Sequence, residues 1–398
     1  ATIAFSDKEI ALSEIGAELD FADSSAVAVE GRAISRGAPL TVTGEVSTAR
    51  QVLEINGERI DAMDYLAFLP EGTLPPEIEP QALFFDEMKM KLVREGSDEV
   101  LSGDVRFSRA EALVYGKKIE EGRGLVLFAG KEARIFLRAK AAEQEASVHG
   151  KVAWEEEEPS FNFVVESAAF DPAAVLPQSP FAGKVRVLAS VYGTMRDWAV
   201  DGACEAASGT LYGKVLKDAK VKAHFAHGIL TASGEAAALG GTIRGRGMLH
   251  AADGSYSAQV EAKDLSGAEI AALLVMEDVS LAGRYSADLM LEGKGTDADS
   301  LLVYGTAAGA GASVRGIAID RVSASFFKQG KLLHFDNLNA SFAAGGTLVV
   351  EGDVRDVNDL DLRFYGTAMP LALLDTFVPE AKGSGTFDIA GAVRGAAA

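Results

Sequence analysis

An eleven-residue stretch bounded by glycines occurs three times, and it limits the fold more than any other feature of the chain. Residues 183–193 read Gly-Lys-Val-Arg-Val-Leu-Ala-Ser-Val-Tyr-Gly, residues 283–293 read Gly-Arg-Tyr-Ser-Ala-Asp-Leu-Met-Leu-Glu-Gly, and residues 385–395 read Gly-Thr-Phe-Asp-Ile-Ala-Gly-Ala-Val-Arg-Gly. The apolar side chains fall on alternate positions: Val185, Val187 and Val191; Tyr285, Leu289 and Leu291; Phe387, Ile389 and Val393. Between them stand Lys184, Arg186, Arg284, Asp288 and Asp388. Successive side chains of a strand point to opposite faces, so each copy is a strand with one oily face and one wet face. The copies begin at 183, 283 and 385, a period near one hundred residues. A return at that interval predicts a repeat protein.

A second strand repeats around Gly44, Gly150, Gly247 and Gly352. Its apolar positions are Leu40, Val42 and Val46; Ala146, Val148 and Val152; Ile243 and Leu249; Leu348, Val350 and Val354. Threonines and charges, among them Thr43, Glu45, Lys151, Arg244, Arg246, Glu351 and Asp353, take the other face. The central glycine thus shares the oily face, where the lack of a Cβ allows a bend or a close approach from the opposite strand. A further alternating strand follows, through Phe161, Phe163 and Val165, then Tyr256 and Val260, then Leu362 and Phe364.

Short helical signals close the units, near 62–69, 265–274 and 370–377, with a fourth at Asp171-Pro-Ala-Ala-Val-Leu. Asp61, Asp171 and Asp264 read as helix caps, and Pro172 and Pro370 suit a first helical position. The units run 73–178, 179–275 and 276–380, flanked by the C-terminal part of an earlier unit (1–72) and the start of a later one (381–398). The chain reads as a fragment of a longer protein. Asp253-Gly254 and Gly345-Gly346 are turn signals. The acidic run Glu155 to Glu158 reads as a solvated hairpin tip.

The charge balance of 38 basic against 58 acidic residues argues against nucleic acid, whose binding needs cations facing phosphates. Cys204 is the only cysteine, so no intrachain disulfide can form. The five histidines are scattered; His224 and His227, three apart, are expected on opposite faces of a strand and so share no metal. No nucleophile elbow or phosphate loop is present, and Gly241-Thr-Ile-Arg-Gly-Arg-Gly reads as strand glycines. The expectation is a non-enzyme without cofactor or metal.

Three architectures can dispose of so many apolar stripes: packed sandwiches, a lipid-facing barrel, or a sheet folded lengthwise into a gutter. The barrel is disfavoured, because the chain has two tryptophans, Trp154 and Trp198, and no aromatic cluster recurs at its strand ends to form a girdle. Stripes that mix Val, Ala and Gly fill a packed core poorly and leave space.

The ordered recurrence of these strands resembles the AsmA/TamB family of repeating β-groove proteins. The residues that carry the resemblance are the strand at Gly183 with its copies at Gly283 and Gly385, Gly-Gly-Thr-Leu-Val-Val-Glu-Gly at 345–352, and Asp-Leu-Ser-Gly-Ala-Glu-Ile-Ala-Ala-Leu-Leu at 264–274. What the resemblance implies is an all-β fold: an elongated, repetitive antiparallel sheet curled lengthwise into an open hydrophobic groove (a β-taco), with one short helix per repeat. It implies a periplasmic protein anchored to the inner membrane and conducting phospholipid between the inner and outer membranes. Phospholipid acyl chains would be the cargo on the stripe residues named above, and an outer-membrane barrel assembly protein a partner. Two other readings remain open: a scaffold that pairs strands with client proteins, and a structural stalk with a dry core.

Overall fold

The computed structural model describes residues 2–5, 8–23, 26–63, 78–96, 98–114, 116–141, 143–154, 158–175, 179–274, 279–295, 300–314, 316–355, 359–371, 373 and 384–396. The chain divides into two compact units, Ala1–Gly202 and Ala203–Ala398. The helix expectations at 62–69 and 370–377 lie almost wholly outside the described residues, as do Glu155 to Glu157.

The first unit holds β1 (Thr2–Phe5), β2 (Lys8–Asp23), β3 (Ala26–Ser35), β4 (Ala38–Ser47), β5 (Arg50–Asp61), β6 (Ile78–Glu95) and β7 (Asp98–Val114). It continues with β8 (Lys117–Gly130), β9 (Glu132–Ala141), β10 (Gln144–Ala153), β11 (Ser160–Phe170), the single-turn α1 (Pro172–Val175), β12 (Phe181–Ala182) and β13 (Val185–Thr194). From β1 to β11 each strand pairs antiparallel with the next, and β11 pairs with β13. The division between the units falls inside β14 (Trp198–Leu211).

The second unit follows the same plan. It holds β15 (Lys214–Ala226), β16 (Ile229–Ala238), β17 (Gly241–His250), β18 (Ser255–Ser266), α2 (Gly267–Leu274), β19 (Val279–Leu281) and β20 (Arg284–Lys294). After these come β21 (Leu302–Val314), β22 (Ile317–Gln329), β23 (Leu332–Phe342), β24 (Thr347–Arg355), β25 (Asp359–Pro370) and β26 (Thr386–Ala396). Neighbours pair antiparallel from β15 to β18, β18 pairs with β20, and the order continues to β26. The protein is all-β, 83% strand, and its antiparallel sheet is open and does not close on itself.

Sequence chemistry explains the meander. Four hairpins turn on a residue followed by glycine, both with positive φ: Arg36-Gly37, Tyr212-Gly213, His227-Gly228 and Leu239-Gly240. That pair of left-handed residues matches the right-handed twist of the strands it joins. His227 therefore sits in a turn, not on the strand face expected for it.

The three glycine-bounded copies become β13, β20 and β26, paired with β11, β18 and β25 in one common register. Val165 faces Ala189, Val260 faces Leu289 and Phe364 faces Gly391. Each pairing then slips by one residue, between Ser167 and Phe170, Ala262 and Leu265, or Gly366 and Met369. This is a β-bulge. Two exposed residues stand between buried or half-buried ones, and Asp264 and Ala368 take positive φ values of 54° and 47° there.

The bulge corrects two expectations. Asp264 is a bulge residue, not a helix cap, and Leu265 and Ser266 still belong to β18, so α2 starts at Gly267. Pro370 ends β25, paired with Thr386. Asp171, by contrast, does cap: its Oδ1 accepts a hydrogen bond from the Ala173 backbone N–H at 3.0 Å, with Pro172 opening α1.

Val105 and Phe107 of β7, Ala133 of β9 and Ala206 of β14 are buried within their strands, and further well-buried side chains collect at the bulged rim of each unit. Ile60, Ala62, Ala82 and Val185 lie there in the first unit, and Ala238, Ala262, Leu265, Ala312 and Met369 in the second.

Candidate binding face

Residues directly opposite in an antiparallel pair share a face, so the registers allow each apolar row to be followed across a unit. In the first unit one row runs Ala33, Leu40, Gly57, Met88, Val105, Val126, Ile135, Gly150, Phe163, Val191. A neighbouring row runs Ile60, Phe85, Phe107, Gly124, Leu137, Val148, Val165, Ala189. In the second unit a row runs Val221, Gly234, Gly245, Val260, Leu289, Gly305, Phe326, Phe335, Gly352, Leu362, Val393. Local alternation in separate strands thus adds up to one continuous apolar face in each unit.

Ala146 aside, the 26 stripe residues named from the sequence fall on these faces: Leu40 to Val191 in the first unit, Ile243 to Val393 in the second. Only Val185 is buried, at 8% exposure; Leu249, Ile389 and Val393 are 37%, 41% and 47% exposed, and the other 22 are half-buried. A side chain under a second layer of protein would be buried. In the same rows Ile60, Val105 and Phe107 are buried, and the Tyr285 ring lies against Gly267 of α2.

The sequence reading missed the middle of the first unit. Met88, Met90, Leu92, Val105, Phe107, Val126, Phe128, Ile135 and Leu137 lie in the same rows. The alternation of Met88-Lys-Met90-Lys-Leu92 is a signal that could have found them.

The central glycines are explained by close approach. A Cβ on Gly44, Gly150, Gly247 or Gly352 would come closer than 3.0 Å to a carbonyl oxygen of the next strand, that of Val52, Asn162, Ser257 or Asp361. Tyr285 is held in a similar way. A Cβ at Gly267 or Gly309 would run into its ring, and its hydroxyl is buried without a hydrogen-bond partner. Burial pushes its phenol pKa up.

The opposite face is polar and laced across strands. Lys91 Nζ meets Glu54 Oε1 at 2.7 Å, Glu132 takes both Arg134 at 2.8 Å and Lys151 at 3.1 Å, and Arg394 meets Asp361 at 3.0 Å. Two depressions lie on this face. One of about 680 Å³ is lined by Lys220, Lys222, Glu235, Arg244, Arg246 and Glu261, the other of about 750 Å³ by Asp20, Thr43, Glu45, Arg50, Glu54 and Lys91. A twisted sheet is saddle-shaped, so either face can carry a hollow. The mixed charges suit water and counterions.

Among the described residues no three His, Cys, Asp or Glu side chains are placed to hold a metal ion, and no helix is long and apolar enough to cross a membrane. Cys204 is half-buried, and burial pushes its thiol pKa up, away from the reactive thiolate. Comparison with protein-family models, with curated proteins and with solved structures finds no match in any of the three.

Proposed function

We propose that the apolar face holds the acyl chains of phospholipid, and that the protein is a lipid-conducting segment working in the periplasm between inner and outer bacterial membranes. In this reading the sheet curls lengthwise around the chains as an open groove, and phospholipid is cargo, not cofactor. The role is binding and passage, without a catalytic centre.

One observation carries the reading. The apolar rows are continuous across each unit, and although Ile60, Val105 and Phe107 within them are buried, 25 of the 26 stripe residues stay half-buried or exposed. Contiguous uncovered hydrocarbon of this kind marks an interaction surface. Each square ångström removed from water contributes about 25 cal/mol, so an acyl chain laid on the face is stabilised along its length. The stripe is made of methyls and rings with no directional demand, which suits a sliding hydrocarbon better than a fixed ligand. A dry stalk would need the same side chains packed under a second layer.

The test is site-specific photocrosslinking in a diderm bacterial host. A photoreactive residue at Leu289 or Val350 on the apolar face should capture phospholipid; one at Asp288 or Glu351 on the polar face should not. Equal capture from both faces, or none from Leu289 and Val350, overturns the reading. Capture of protein strands at the apolar positions would point to the assembly scaffold instead.

A further inference from the structure

One row of the second unit's apolar face contains a cation. It runs Leu291, Val303, Lys328, Leu333, Val354, Leu360. The register from Leu302 to Ala310 on β21 is unbroken, so Lys328 shares its face with Phe326, Ala324 and Val322. The parallel row through Leu289 carries no charge.

Lys328 is half-buried and lies two residues before Gly330 in the β22–β23 turn, on the turn side of a register shift between Ser325 and Phe326. Its Nζ donates to the Gly330 carbonyl at 2.8 Å, and among the described residues it forms no ion pair with a carboxylate. An ammonium has three donors, so two stay available. In a chain with 58 acidic and 38 basic residues, an unpaired cation on the apolar face is the less expected sign. A charge among hydrocarbon is costly unless it is paired, and a lysine at a rim can keep its head in water while its stem lies on oil.

We infer that Lys328 binds the phosphate of a phospholipid whose acyl chains lie on the apolar face beside it. This rests on the reading under Proposed function and adds where the headgroup sits: at the β22–β23 rim, with the chains running toward Phe326 and Phe335. The occupant is an anionic headgroup covalently joined to hydrocarbon, because the ammonium and the apolar row meet at one place.

The experiment uses two acyl-labelled probes with identical chains, phosphatidylglycerol and diacylglycerol, in detergent, bound to the full chain. Lys328→Gln should weaken phosphatidylglycerol binding about three- to tenfold, the range of one charge-assisted contact at a partly solvated site. Diacylglycerol binding should not change, and Lys328→Arg should restore the wild-type value. Millimolar inorganic phosphate should not displace the lipid probe. Unchanged phosphatidylglycerol binding in Lys328→Gln, or an equal loss for both probes, overturns the headgroup role while leaving the groove standing. Failure of wild-type protein to bind either probe overturns the groove itself, and the inference with it.

Discussion

Gly150 lies directly opposite Phe163, and a methyl group added to Gly150 would stand 2.7 Å from the Phe163 ring and closer than 3.0 Å to the Asn162 carbonyl. Gly44, Gly247 and Gly352 meet the next strand in the same way. Gly150→Ala should therefore cost about 1–3 kcal/mol, the usual penalty of overpacking. Gly31 is the control, since its nearest neighbour would be Val42 Cβ at 3.8 Å. Gly31→Ala should be neutral or slightly stabilising. Urea unfolding of both variants checks the contrast; equal shifts would refute it.

Leu289 stands half-buried between Val260 and Gly305 on the apolar face. A carboxylate there keeps access to water, so Leu289→Asp should destabilise by less than the ~3–5 kcal/mol typical of an uncompensated buried charge. It should still deplete bound phospholipid, because an acyl chain cannot cross a charge cheaply. Thermal midpoints and extracted lipid are measured together. Gross unfolding, with no lipid in either protein, would rule out an open face.

Ala368 has a φ of 47° at the β25 bulge, and its N–H donates to Asp388 Oδ1 at 2.8 Å. Left-handed backbone costs a non-glycine L-residue roughly 1–2 kcal/mol. Ala368→Gly should raise stability by up to about 1 kcal/mol, and the β-branched Ala368→Val should lower it. Should the two variants melt alike, the bulge does not hold Ala368 in that conformation.

Hydrogen bonds from Arg134 and Lys151 hold the Glu132 carboxyl below its ordinary value of 4.5. A folded pKa below the unfolded one means that the pairing stabilises the protein above the ordinary carboxylate range. That contribution is lost as pH falls through the folded pKa. Glu132→Gln should thus melt below wild type at pH 7 and approach it below about pH 4. The gap should also shrink in high salt, since the group is on the surface. A gap independent of pH would show that charge is not what Glu132 contributes.

Alternation with a period of two was readable because it is local: each residue of Tyr285, Leu289 and Leu291 declares its face through its own neighbours. The strands, the shared face of the central glycines and the turns at Gly254 and Gly345 followed from that. A trace of the bulge was present too, as Ala262-Lys-Asp-Leu265 and Gly366-Thr-Ala-Met369 each break the alternation by one residue. It was read as a helix cap because Asp264 suits both roles.

Register belongs to pairs of strands, and no single segment contains it. That Val105 stands over Met88 and Val126, or that Lys328 enters a row between Val303 and Leu333, depends on hydrogen bonds between separate stretches of chain. The sequence by itself determined an all-β repeat with one apolar and one polar side to each strand. Only the tertiary structure decided that those sides join into continuous faces whose stripe residues are mostly half-buried, because burial depends on what the whole chain brings opposite each residue.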